Sequence, residues 1–193
     1  VSEDVRFKVA VRSLHREKNA AYGPAWKRRG ELISVLANIA RKVDRLEQAA
    51  AGAPATRDEN LLDTVVDLLV YSLKYQTYLA DQDEAVGRGL LGGRVQPPYS
   101  DGRGGFEGLL ETLDLTVLDD PDVTPSLAEA AGHVITSFSE VEQCFMEALP
   151  PAPVPERLTR AINLTYATTE VVGVLRREAP ALYVDFLATW EGE

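Results

Sequence analysis

Apolar residues recur at helical spacing along most of the chain. Between positions 61 and 79 they fill most of the circumference: Leu61, Leu62, Val65, Val66, Leu68, Leu69, Val70, Leu73 and Leu79. Asp63, Asp67, Tyr71, Lys74 and Tyr78 advance in steps of four and three, in an arc of roughly 120°. A surface helix has the opposite balance, with a narrow apolar stripe and a broad polar face. This helix is therefore expected to be buried, and its aspartates to need cations, a metal or a water-filled cavity. The preceding pattern, 24–51, should be its antiparallel partner. On that helix Asn38, Lys42 and Arg45 share one face and offer the cations.

The remaining elements follow from caps and breaks. Residues 3–19 read as a first helix, stopped by Gly23-Pro24, and Pro24 suits the first turn of the next. That helix ends at Gly52. Thr56 and Glu59 have capping-box spacing ahead of the apolar run, so Glu59 is open to two roles, cap or ligand. The buried helix, 57–83, ends near Asp83. Eight of the 14 glycines then fall between 87 and 108, together with Pro97 and Pro98. This predicts a long loop, either a flexible segment or a lid. It lacks the spacing of a phosphate-binding P-loop. A short helix over 106–113, long helices over 124–149 and 155–178, and a last helix over 181–190 complete the chain. No period-2 run is long enough for a strand. The expected fold is all-α, a helical bundle of two long helical hairpins plus short helices. It divides into 1–86, a Gly-rich loop and short helix at 87–123, and a second hairpin at 124–193 packing on the first. A shift of 95 residues aligns Tyr71 with Tyr166 and Glu47-Gln48 with Glu142-Gln143, as a degenerate duplication would.

Composition narrows the function. The net charge is −10, which disfavours a broad nucleic-acid surface. The basic residues are concentrated nonetheless: Lys18, Lys27, Arg28, Arg29, Arg41, Lys42 and Arg45 lie in the first helices. A local positive field in an acidic protein suits a small anionic ligand. No apolar run reaches membrane-spanning length and no signal-peptide core is present, so a cytoplasmic location and no membrane partner are expected. The single Cys144 excludes an internal disulfide. With only His15 and His133 beside it, a zinc site or a nucleophilic triad has no support. His15 and Lys18, upstream of Tyr22, could face one cavity.

Three motifs carry a resemblance: Tyr-Gly-Pro-Ala-Trp at 22–26, Lys-Val-Asp-Arg at 42–45 and Asp-Leu-Leu-Val-Tyr at 67–71. Over about its first 80 residues the chain resembles the all-α nucleoside triphosphate pyrophosphatases, the MazG-like proteins. Within them it looks most similar to the branch called nucleotide modification associated domain 1. The resemblance implies a nucleoside triphosphate or other nucleotide as partner. Such enzymes hold magnesium with a Glu-x-x-Glu pair on one helix and a Glu-x-x-Asp pair on the next. Here Lys42 and Arg45 replace the first pair, leaving Glu59, Asp63 and Asp67 as metal ligands, with Asp63 and Asp67 catalytic. Lys18, Tyr22, Trp26, Asn38, Lys42, Arg45 and Tyr71 would bind the nucleotide.

The residues alone leave more than one reading open. Asp63 and Asp67 could share a divalent cation, or form an ion-pair lattice with Lys42 and Arg45. Tyr22 and Trp26 could stack a base or pack the core. Three functions compete: a magnesium-dependent pyrophosphohydrolase, a non-catalytic or nucleotide-modifying protein of the same fold, and a helical interaction protein. In the last, the polar stripe would be the seam of a homo-oligomer.

Overall fold

The helix Leu61–Ala80, α3, lies at the centre because its sequence leaves no wide polar face, and 15 of its 20 residues are buried. The computed structural model describes residues 2–52, 60–118, 125–146 and 150–191. Among the described residues the chain is 82% helical, with eight α-helices and no strand, which makes it an all-α bundle. Among the described residues no helix is long and apolar enough to cross a membrane.

The first hairpin pairs α2, Ala37–Ala50, with α3. Lys42 meets Asp67, while Glu31, just ahead of α2, accepts a 2.6 Å hydrogen bond from the Tyr75 hydroxyl. Position falls along one strand of the hairpin as it rises along the other, so the two run antiparallel. The second hairpin pairs α6, Leu127–Met146, with α7, Val154–Glu178. It shows the same inversion, with Arg160 on Glu140 at 3.0 Å and His133 on Glu170 at 2.7 Å. α7 also packs on α3, and α6 on α2, so the four helices close into a ring. Between α3 and α7 the buried polar atoms are paired: Gln76 donates to Thr165 at 2.8 Å, and Thr165 donates to Ser72 at 2.9 Å.

Outside the ring, α1, Glu3–Tyr22, docks on α8, Pro180–Trp190. Phe7 stacks on Tyr183 at 6.0 Å and tilts against Phe186 at 5.8 Å, and Arg6 pairs with Glu191 at 2.8 Å. The buried core is continuous from Phe7 through α3 to Leu187, across all three segments expected from the sequence.

Three elements differ from expectation. The helix expected over 24–51 is in pieces: a 3-10 turn at Gly23–Lys27, a π-helical stretch at Glu31–Leu36, then α2. Gly30 divides them, at φ 83°, and the Ser34 hydroxyl accepts the Arg29 N–H at 2.9 Å. The π stretch is anchored by its first residue. Glu31 pairs with the buried Arg157 of α7, whose other nitrogens donate to Ala152 O at 2.9 Å and Gln82 Oε1 at 3.1 Å. Second, α3 ends at Ala80, and Asp83 instead caps a new helix, α4, Glu84–Leu91, accepting from Ala85 and Val86. Third, the glycine-rich segment is helical at both its ends, which lie in α4 and in α5, Gly104–Thr112. The expected capping box at Thr56 and Glu59 lies outside the described residues. Asn60 is the N-cap of α3, its side chain accepting the Asp63 N–H at 2.8 Å.

Candidate functional site

The polar stripe of α3 is roofed where α1 ends. Gly23, at φ 50°, stops α1, and its N–H still bonds to Asn19 O. The following 3-10 turn swings Trp26 inward. Lys18, Tyr22, Gly23, Ala25 and Trp26 thereby face Asn38 and Lys42 of α2 and Asp67, Val70, Tyr71 and Lys74 of α3. These residues line a cleft of about 410 Å³.

Among the described residues Asp67 is its one carboxylate. Lys18 Nζ donates to Asp67 Oδ1, and Lys42 Nζ stands 3.3 Å from Oδ2. The side chain of Asp67 is only 16% exposed, so this triad is partly shielded from solvent. Lys42 also lies 5.2 Å from the Tyr71 ring centre. Lys74 is different. Only 8% exposed, it sits 5.1 Å from the Trp26 ring and 5.8 Å from that of Tyr71. Among the described residues its ammonium has no carboxylate partner. Burial, which disfavours the charged form, pushes the Lys74 pKa down to about 8; Lys18 adds to this and Asp67 opposes it. Burial, and then the Asp67 charge, raises the Tyr71 phenol.

The aromatic wall is graded. Trp26 is buried, edge-on to Tyr78 at 6.4 Å, so it is both core and cleft lining. Tyr71 is half-buried and Tyr22, 71% exposed, stands at the rim. Asn38 is held by donating to Ser34 O at 2.7 Å and accepting from Arg41.

The structure thus gathers Lys18, Tyr22, Trp26, Asn38, Lys42, Asp67 and Tyr71. Other expected residues fall outside the cleft. Asp63 sits in the first turn of α3 and Arg45 is exposed on α2; neither lines it. Glu59 lies outside the described residues. His15 does not face the cavity either. It is buried against Phe106 with ring centres 3.8 Å apart, and burial lowers its pKa to about 3. Lys27, part of the basic cluster, is tied to Asp101 at 2.5 Å. Cys144 is buried, and burial raises its thiol.

The cleft does not fit magnesium. That ion needs an octahedron of oxygens, usually one or two carboxylates with waters and phosphate. Asp67 has both oxygens engaged by ammonium groups, and three lysines would repel a dication. Among the described residues, no three His, Cys, Asp or Glu side chains gather as a metal site.

Lys74 is the cleft residue that sequence reasoning did not place in the site. Its signal was its position in the polar stripe, three residues after Tyr71 on an otherwise apolar helix. No protein-family model, no curated protein and no solved structure matches the chain.

Proposed function

We propose that the chain binds a nucleotide in this cleft, without a metal ion and without hydrolysing it. The observation that carries the reading is three lysines set against one carboxylate in a pocket walled by tyrosine and tryptophan. Ammonium groups make strong charge-assisted bonds to phosphate oxygens. Aromatic faces accept a base by stacking. An acidic protein with a locally positive recess concentrates small anions there and repels polyanions elsewhere. The motifs that resemble those of the MazG-like proteins favour a nucleotide over other phosphorylated ligands.

The same contacts argue against hydrolysis. Water attack on a phosphoanhydride needs a general base or a metal-bound hydroxide. Among the described residues Asp67 is the one carboxylate in the lining, and its Oδ1 already accepts from Lys18 while its Oδ2 is paired with Lys42 at 3.3 Å. Its role is to hold Lys18 and Lys42 in place between ligands.

Calorimetric titration with a panel of nucleotides, with magnesium and with chelator, tests the reading. Binding of equal strength under both conditions, weakened at least tenfold in Lys42→Met, with no pyrophosphate released, is the expected result. Binding that requires magnesium, or pyrophosphate in the product, would establish the hydrolase instead. Failure of every nucleotide to bind would leave the helical interaction protein as the better account.

A further inference from the structure

We infer that the cleft is matched to a single dianionic phosphate group, as on a nucleoside monophosphate, and that Lys74 is the residue that holds it. The inference rests on the nucleotide reading above and narrows it to a substrate class.

The charges in the lining set the match. Lys18, Lys42 and Lys74 face Asp67, and among the described residues no other charged side chain lines the cleft, which leaves two positive charges. A phosphate monoester carries about 1.5 to 2 negative charges at neutral pH and closes that balance. Each further phosphoryl group brings more negative charge. The lining has no cation left to meet it and no fit for a magnesium ion to neutralise it. The surroundings do not help, since the chain as a whole carries a net charge of −10.

The three lysines are not equivalent. Lys18 and Lys42 already share Asp67, so a phosphate reaching them must compete with an existing ion pair. Among the described residues Lys74 has no such partner. Its ammonium is held between the ring faces of Trp26 and Tyr71, a weaker substitute for an anion. A buried cation with no carboxylate in direct contact is costly, even with the Asp67 charge nearby, and an arriving anion relieves that cost. The depressed Lys74 pKa reports the same burial, which the Asp67 charge offsets only in part. The gain on binding is therefore greatest at Lys74. A phosphate seated there lies beside both rings, with the open rim near Tyr22 left for the base.

The test is calorimetry at pH 7 with chelator present. The probes are inorganic phosphate, a nucleoside, and the 5′-mono-, di- and triphosphates of each common base. The monophosphate should bind at least tenfold more tightly than the triphosphate, and more tightly than phosphate or nucleoside alone. Lys74→Met should lose about a hundredfold in affinity while its thermal midpoint does not fall, because methionine keeps the apolar stem between the rings. Should Lys74→Met fail to fold, Lys74→Gln serves, and Lys74→Arg should retain part of the affinity. Tighter binding of the triphosphate, or undiminished binding by folded Lys74 variants, would overturn this inference and leave the nucleotide reading standing. Phosphate binding as tightly as the monophosphate would also overturn it, by making this a free-phosphate site. If no nucleotide binds, both fall together.

Discussion

His15 is a histidine buried against an aromatic ring. It is 1% exposed, it stacks on Phe106, and among the described residues neither ring nitrogen has a hydrogen-bond partner. Burial, chiefly, and then the nearby Lys74 charge lower its pKa to about 3. The unfolded chain, at about 6.5, therefore takes up a proton first as the pH falls. Stability present above pH 6.5 is lost as the pH drops toward 3, at about 1.4 kcal/mol per pH unit. At pH 5 the loss from this one residue should be about 2 kcal/mol. Urea unfolding at pH 7.5 and pH 5 should show that difference in the wild type and not in His15→Leu. An equal acid loss in both proteins would mean that other groups cause it. The cleft residues are a mixed case at this scale. Asp67, Lys42, Asn38 and Tyr71 were legible because steps of three and four put them on facing stripes. Asp63 and Arg45 lie on the same stripes, but the cleft closes only where the end of α1 crosses, and periodicity on two helices cannot locate a third. Lys74 was missed because a helical lysine normally reaches water.

Elements explain what glycine content concealed. The segment 87–108 reads as a loop because glycine is the usual mark of one. In the fold, two of its glycines instead let α4 and α5 close around Tyr99, which is buried. A Cβ at Gly87 would strike the Tyr99 ring, and one at Gly105 would run into the Tyr99 carbonyl oxygen. The intervening turn is bonded to Asp81, which accepts the Tyr99 N–H at 2.5 Å and the Ser100 N–H at 3.0 Å. Gly105→Ala must displace backbone, and overpacking of this kind costs about 1–3 kcal/mol. For a chain of this size the melting midpoint should fall by roughly 2–4 °C per kcal/mol. Gly89, in the same helix as Gly87, has open space around its Cβ position. Gly89→Ala should therefore raise stability, by up to about 1 kcal/mol from helix propensity alone. A loop merely flexible by composition would respond to neither substitution, so the opposite signs in one melting experiment discriminate. The break in the helix expected at 24–51 was equally hidden. Gly30 was visible, but the part-buried Glu31–Arg157 pair that anchors the π stretch joins residues 126 apart.

At the scale of the whole molecule, both helical hairpins were legible, since each carries its own apolar pattern. Their closure into a ring was legible only in outline, because which faces meet is fixed by tertiary pairs such as Gln76 with Thr165. The ring and the cleft differ in how they are held. α3 is surrounded by α2 and α7 and has the most buried side chains of any helix. α1 supplies Lys18 and Tyr22 to the cleft yet packs mainly on α8 and only lightly on α3. Its attachment is the Phe7 contact with Tyr183 and Phe186 and the Arg6–Glu191 pair at the far end, while α5 holds its middle through Arg16 and Glu107 at 2.8 Å. Proteins open in cooperative units, and units with fewer buried contacts open at lower free energy. α1 and α8 should therefore open together, below the global unfolding free energy, and opening them unroofs the cleft. Native-state hydrogen exchange should show amides of 7–20 and 183–189 exchanging as one set, faster than those of 65–79 and 164–175. A ligand that bridges Lys18 to Lys42 and Lys74 binds only the closed form. It should slow exchange in α1 by the factor its concentration exceeds Kd, about 100-fold at 100 times Kd. The exchange in α7, limited by global unfolding, should slow by the same factor and no more. Protection confined to α3, with α1 unaffected, would mean that the ligand does not span the cleft.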